Sequence, residues 1–319
     1  MLDLSNALII ANPAAAGGRV GRSWDRILPQ IRDVLGDVPV WRTEHRGHAR
    51  ILAREALWQN KNVLLSLGGD GTHSEVVSGV VRDRPRPGTI TVGVLPIGTG
   101  GDFRRMIEGS GNLREQAERI LTDTAQEIDV GVLNFTTPEG ETAERIFLNE
   151  ASLGLSGRVC QYVNGSRKRL GGGVTYFVAA LRALQTYRPA HVRIAVDGQD
   201  LGEFPLGTVL IANGQYAGGG MRFAPAAILD DGMLDVTVLH RGTTLQMIRL
   251  APRLYQGNIH LAKGVSCFRG IHVAVTEVTR GTLVVEADGE PIGTTPIEAT
   301  VLGGALRMIG VRQDVLRTP

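Results

Sequence analysis

The sequence predicts two domains of different class, a doubly wound α/β domain over residues 1–126 and a β-sandwich over 127–302. Three observations predict this. Strand and helix signals alternate up to about residue 125. From Gln126 onward strand-like runs predominate, punctuated by glycine-containing turns. Three glycine-rich loops in the first part each follow a strand and precede a helix. The length, 319 residues, suits about two domains.

The elements follow in order. "ALIIAN" is a first strand ending in the small-residue loop "NPAAAGGR". Val20, Trp24, Ile27, Leu28, Ile31, Val34 and Leu35 then recur at helical spacing, with Pro29 as the one blemish. "VPVWRT" is a short strand, and Ala49, Leu52, Ala53, Ala56 and Leu57 mark an amphipathic helix. "NVLLSL" lacks polar alternation apart from Ser66, as a parallel strand covered on both faces would. "GGDGTHSE" follows it, with a helix predicted from about Thr72 to Val81. "ITVGVLP", the loop "GTGGDF" and the helix "LREQAERILTD" complete the domain. In the second part, runs such as "EIDVGVLNF", "HVRIAVDG", "LDVTVLH" and "TLVVEADG" read as strands. Helices are expected at about 170–185 and 245–256.

Composition excludes several classes. The net charge of +2 offers no strong field for nucleic acid. Cys160 and Cys267 make neither a disulfide framework nor a zinc spacing and read as two small hydrophobes. The N-terminus has no basic leader, and no run of about 18 apolar residues predicts a membrane-spanning helix. Cytoplasm is the expected location. Glycine, 42 residues, is in excess without a collagen-like period, which places it in turns and close-approach loops.

The loops 12–19, 68–75 and 96–103 lie at the carboxyl ends of strands, where loops of an open α/β sheet converge on one crevice. Glycines there let backbone N–H groups approach phosphate oxygens, so a nucleotide or phosphate site is expected, with turn chemistry alone as the other reading. None of the loops is a Gly-Lys-Ser/Thr phosphate loop or a GxGxxG fingerprint. Thr72 is placed to cap the helix after the second loop, and Glu75 would complete a capping box. That leaves Asp70 as a spare carboxylate suited to Mg²⁺. Asp288 and Glu290 flank a glycine in "EADGEP", which reads either as a hairpin turn or as a pair of functional acids. "LDDGMLD", with Asp230, Asp231 and Asp235, is a turn or a cation site. "NGSRKRLGGG" (164–173) is a basic loop before an apolar helix, either a solvated loop or a resting place on an anionic membrane.

Together "NPAAAGG", "GGDGTHSEV", "LPIGTGGDF", "LNEASLGLSG", "IANGQYAGGGMRFAPAAILDDGMLDV" and "EADGEP" resemble, in order along essentially the whole chain, the diacylglycerol kinase catalytic-domain family of bacterial lipid kinases, related to sphingosine and ceramide kinases. GGDGT alone is shared with NAD kinases and resembles the phosphofructokinase signature; the long glycine-rich block and the late DGE are far more specific. The resemblance implies an NAD kinase/phosphofructokinase-like ATP-binding domain, completed by the C-terminal strands 303–319, and a lipid-substrate β-sandwich, with ATP in the cleft between them. It implies ATP and Mg²⁺ as cofactors and a lipid primary hydroxyl as acceptor. Carried over, Asn12, Gly18, Gly68, Gly69, Gly71, Thr72, Glu75, Gly98, Thr99 and Asp102 would bind ATP, with Asp70 tied to Mg²⁺. Asp288 would be the general base, with Glu290 beside it, although Asp70 takes that role in some accounts of relatives. A structural Mg²⁺ would sit at Asp231 with Asp230 and the Met233 backbone, but Ile228 stands where a supporting acid is expected.

The resemblance further implies peripheral contact with the membrane surface and leaves a homodimer open. The chain departs from the family pattern at Ala16, where glycine is frequent, at Ser78, where asparagine often stands, and at Gly101, in place of the usual asparagine. Losing that amide removes one hydrogen bond, worth about 0.5–1.5 kcal/mol, or about tenfold in affinity at most. A soluble-substrate kinase of the NAD kinase type and a non-catalytic nucleotide-binding paralogue are the alternative readings. Retention of Asp70, Glu75 and the DGE acids argues against the second.

Overall fold

Eleven buried strand residues in two runs set the centre of the first unit. Ala7–Ala11 (β1) and Val63–Gly68 (β3) are buried along their whole lengths, as strands covered on both faces must be. The computed structural model describes residues 2–82, 90–97, 101–107, 112–165, 179, 182–183, 186–187, 190–278 and 283–316. Gly98, Thr99, most of the basic stretch 164–173 and most of the helix expected at 170–185 lie outside the described residues. The chain divides into two compact units, one of residues 1–129 with 303–319, the other of residues 130–302.

In the first unit, β1 is followed by Ala15–Arg22 (α1), Trp24–Leu35 (α2), Val40–Arg42 (β2), His48–Trp58 (α3), β3, Asp70–Arg82 (α4), Thr91–Pro96 (β4) and Leu113–Thr122 (α5). All pairings are parallel, in the order β2-β1-β3-β4. Beyond β4, Arg307 and Met308 add a further parallel strand from the end of the chain. Period-2 alternation sends Leu65 and Leu67 towards Ile27 and Ile31 of α2 and Ala117 and Ile120 of α5. Ser66 points the other way and meets His73 of α4 at 2.8 Å. Helices on both faces make the sheet doubly wound, as the strand–helix alternation predicts.

In the second unit the strand pairs with a described register are antiparallel. Its strands are Ala125–Thr136 (β5, which enters from the first unit), Thr142–Phe147 (β6), Glu150–Gly154 (β7), Ala190–Val196 (β8), Gln199–Ala212 (β9), Tyr216–Ala217 (β10), Met221–Arg222 (β11), Leu234–His240 (β12), Val265–Gly270 (β13), His272–Glu277 (β14), Val284–Ala287 (β15) and Glu290–Ile309 (β16). Among the described residues the helices Leu155–Gly165 (α6) and Thr244–Gln256 (α7) interrupt them. The long strands β9 and β16 each serve two layers. Residues 199–206 of β9 pair with β8, and 206–212 pair with β12, with β7 on the other edge. Likewise β16 pairs with β15 through 290–294 and with β14 through 297–300. Strands that switch layers close a sandwich at its corners. Its core holds Phe147, Leu153, Val192, Ile194, Val209, Ile211, Val236, Val273, Val285 and Ile297. Among the described residues no helix is long and apolar enough to cross a membrane.

Candidate active site

In the first unit, the order β2-β1-β3-β4 reverses direction between β1 and β3, and ligands of open α/β sheets bind at the carboxyl ends of strands at such a switch. Two loops meet there. Asn12, directly after β1, donates its side-chain amide to Thr72 Oγ1 at 3.0 Å, while its Oδ1 accepts the Ala14 N–H at 2.9 Å. The third loop joins them, since Asp70 Oδ2 accepts the Asp102 N–H at 2.5 Å. The structure thus brings together Asn12, Asp70, Thr72 and Asp102, as the loop argument expects.

The glycines divide by purpose. A Cβ on Gly68 would lie 2.5 Å from Thr72 Oγ1, so protein packing alone requires glycine there. A Cβ on Gly69 or Gly71 would meet nothing within 4 Å, and neither residue has a positive φ. The described chain gives no reason for these two glycines, whereas a ligand lying on the backbone would. Gly18 has φ +81, next to Gly17 and Ala16, whose φ of 52 is the left-handed value that a glycine adopts at no steric cost. Gly101 is more than a missing amide, because a Cβ there would lie 2.8 Å from Asp70 Oδ1. The usual asparagine would collide with the aspartate in this backbone.

Two expectations are corrected. The capping box does not form. Helix α4 begins at Asp70, two residues earlier than predicted, so Thr72 lies inside it. Glu75, expected to complete that box, turns instead to another helix. Its carboxylate is buried and accepts the N–H groups of Gly47 at 2.8 Å and Ala49 at 3.1 Å, closing the first turn of α3, whose own N-cap Gly47 has no side chain to do so. His73, on the same helix, is fully buried against Ser66, and burial pushes its imidazole down to about 3. It is a neutral core histidine.

In the second unit, "EADGE" forms a two-residue hairpin turn between β15 and β16, with Asp288 at φ 47 and Gly289 at φ 76. The turn is heavily tied. Asp288 accepts three backbone N–H groups, from Leu148 and Asn149 at 2.8 Å each and from Glu150 at 3.2 Å. Glu286 Oε2 accepts the Gly289 N–H at 2.9 Å, and the Cys160 thiol donates to the Gly289 carbonyl at 2.9 Å. Glu290 pairs with Arg145 at 2.9 Å, both side chains being mostly covered. A carboxylate offers about four lone-pair positions, and Asp288 has spent three of them on the main chain. Those three bonds make Asp288 the clamp of the turn.

The sequence reading missed Glu286, Glu150, Asn149 and Arg145. Glu286 is buried with Ser152, whose hydroxyl it accepts, and shares a hydrogen bond with Glu150. Burial raises its carboxyl to about 7, against the lowering pull of those bonds. The available signal was an acid inside the apolar run "VVEA". Asn149 is held from both sides. Its side-chain amide reaches the Tyr216 carbonyl, and its main-chain carbonyl accepts the N–H groups of Asn213 and Gly214.

At the "DDG" turn, Asp231, the acid expected to hold a structural cation, pairs with a side chain. The guanidinium of Arg269 bridges Asp231 and Asp235, the latter at 3.2 Å, and Asp231 Oδ1 accepts the Met233 N–H at 3.1 Å. Among the described residues no group of three or more His, Cys, Asp or Glu side chains could hold a metal ion. Cys160 is buried as expected, whereas Cys267 is exposed.

Comparison with known proteins agrees with the fold class of the two units. Residues 6–133 match the family model of the diacylglycerol kinase catalytic domain, and residues 149–310 match the YegS C-terminal NAD kinase beta sandwich-like domain. A Pseudomonas aeruginosa protein named "Probable lipid kinase YegS-like" is 32% identical over 325 residues, covering 100% of this chain and 99% of its own. The diacylglycerol kinase of Bacillus subtilis is 28% identical over 256 residues, 80% of each chain. A crystal structure from Bacillus anthracis, described as a "putative diacylglycerol kinase", superposes with a TM-score of 0.76 at 25% identity, over 97% of this chain and 96% of that one. Yeast NADH kinase shares the fold alone, with a TM-score of 0.53 at 11% identity, over 98% of this chain and 83% of that one.

Proposed function

We propose that this chain, which belongs to the diacylglycerol kinase catalytic-domain family of lipid kinases, transfers the γ-phosphoryl group of ATP to the primary hydroxyl of a diacylglycerol-like lipid, giving a phosphatidate-like product. The observation that carries the reading is the backbone left bare at Gly69 and Gly71, beside Asn12 and Thr72 at the strand switch point. Phosphate oxygens resting on those N–H groups would also meet the N-terminus of α4, with its partial positive charge.

The donor set fits Mg²⁺–ATP. Mg²⁺ takes one or two carboxylates and completes its shell with water and phosphate oxygens, and Asp70 opens α4 on the loop that holds Asn12 and Thr72 in place. When bound, Mg²⁺ offsets the charge of the transferring group, and the remaining catalysis is positioning. Asn12, Thr72 and Asp102 fix the three loops against each other, so their N–H groups need not reorganise. Asp288 holds the DGE turn rigid through three main-chain bonds. Glu290, one glycine further along and paired with Arg145 at 2.9 Å, is the carboxylate of the turn that would accept the lipid hydroxyl proton.

The test is to incubate purified protein with γ-labelled ATP and Mg²⁺. Diacylglycerol, monoacylglycerol, sphingosine, ceramide and phosphatidylglycerol are offered in mixed micelles, and NAD separately. Label in diacylglycerol is the expected result. Label in NAD alone overturns the lipid reading in favour of a soluble-substrate kinase, and bound ATP with no label anywhere makes the chain a non-catalytic binder.

A further inference from the structure

Between Asp235 and Glu277 the sequence holds no acidic residue. The middle of this stretch, from Arg241 to Gly264, leaves the sandwich at the end of β12 and returns at the start of β13, two strands that pair side by side. It carries Arg241, Arg249, Arg253 and Lys263, all exposed, and among the described residues none of the four makes an ion pair with a carboxylate.

Helix α7 fills most of this excursion and is amphipathic twice over. Met247, Leu250 and Leu254 pack inward on a small core with Met221, Phe223, Ile259 and Ala262. The opposite side is not simply polar. Ile248 is 44% exposed and Tyr255 59% exposed, one heptad apart with exposed Pro252 between them, and Leu261 just beyond the helix is 68% exposed. Arg249 and Arg253 flank this stripe. The helix needs no partner to stay folded, because Thr243 and Gln246 form a capping box at its start and Gly257 ends it in the left-handed region. Its exposed side is therefore a preformed surface of apolar tips among cations. Helix α3 also exposes Ile51 and Trp58, but the acids Glu44 and Glu55 accompany them.

We infer that the outer side of α7, with Leu261, is the surface by which this chain rests on an anionic phospholipid bilayer, Ile248, Tyr255 and Leu261 entering the interface and Arg241, Arg249, Arg253 and Lys263 meeting phosphate groups. The charge pattern selects this partner, since a segment without any carboxylate of its own matches a surface of uniform negative sign, and tyrosine with short aliphatic groups suits the headgroup boundary. For the purpose of the contact the inference rests on the lipid-kinase reading.

Vesicle sedimentation tests it with the full chain. Wild type should bind vesicles containing phosphatidylglycerol, release in high salt, and ignore pure phosphatidylcholine. The double variants Arg249→Glu/Arg253→Glu and Ile248→Ser/Tyr255→Ser should each bind at least about tenfold more weakly, each lost cation alone being worth about fivefold. Their micellar phosphorylation rate and melting temperature should match wild type. In wild type on vesicles, amide exchange should slow across residues 244–261, a readout that needs no variant. Unchanged binding by both variants, no slowing in 244–261, or loss of binding only on Trp58→Ser overturns the proposal. So does a wild-type dimer that the variants convert to monomer, which would make the face a contact with a second copy. Vesicle binding without any lipid phosphorylation would sink the kinase reading and leave this surface standing.

Discussion

Asp288 and Asn149 are joined by a 2.8 Å bond from the asparagine main-chain N–H to the aspartate Oδ1, and the neighbouring N–H groups of Leu148 and Glu150 close on the same carboxylate. One side chain thus pins the hairpin turn of residues 287–290 to the start of β7. The consequence is a division of labour between two acids that stand one glycine apart.

That division predicts different outcomes for two conservative changes. Asn at 288 would keep one acceptor oxygen but turn its amide towards an N–H group, so Asp288→Asn should lower both the melting temperature and the turnover. Glu290→Gln should leave melting within about 1 °C of wild type and reduce turnover by about 10²–10⁴-fold, the usual contribution of a general base. Thermal melting and initial rates on the same preparations check this. An Asp288→Asn protein that melts normally yet loses turnover would return the base to Asp288.

The buried Glu286 predicts an unusual pH dependence. Its carboxyl is raised to about 7 by burial, so between its ordinary 4.5 and 7 the folded protein holds a proton that the unfolded chain has released. Stability contributed there is present at low pH and falls as pH climbs through that window, the reverse of a salt-bridged acid. In Glu286→Gln, which can still accept from Gly289 and donate to Ser152, this component should vanish. Melting temperatures from pH 4.5 to 8 measure it, and parallel curves for the two proteins would refute it.

Glu75 gives a prediction that separates stability from nucleotide binding. Removing its carboxylate in Glu75→Ala strands two main-chain N–H groups at the start of α3, each costing about 1–3 kcal/mol when buried. The melting temperature should fall by several degrees, while the KM for ATP stays within about twofold. A large KM increase with unchanged melting would place Glu75 at the nucleotide after all.

These cases show what could be read from the chain alone. The fold class was legible, because the uninterrupted apolar runs of β1 and β3 and the antiparallel alternation after residue 130 are periodic signals written locally. The three loops were legible for the same reason, each announcing itself by glycines at a strand end. Partners distant in sequence were not. Glu75 looked like half of a capping box, since nothing near it in the chain shows that its target is Gly47, 28 residues back and on another helix. Glu286 looked like any acid in a strand until β7 brought Ser152 and Glu150 against it. The turn at Asp288 was foreseen, but not its three main-chain donors from residues 148–150.

Arg269 illustrates the same point and carries the last prediction. It lies 38 residues from Asp231, yet its guanidinium bridges Asp231 and Asp235 where a structural cation was expected. The Asp235 carboxyl is nevertheless raised to about 6, because burial outweighs the attraction of the arginine. Arg269→Ala removes that attraction and pushes Asp235 higher still, so the destabilisation should be greatest above pH 6 and fade near pH 4, where the Asp235 carboxyl is protonated. At neutral pH it should amount to about 1–2 kcal/mol, less than for a fully buried pair because Arg269 is partly exposed. In wild type the arginine already supplies the positive charge, so EDTA should leave the melting temperature unchanged. A melting temperature that drops on chelation would restore a divalent cation to this turn and reduce Arg269 to its neighbour.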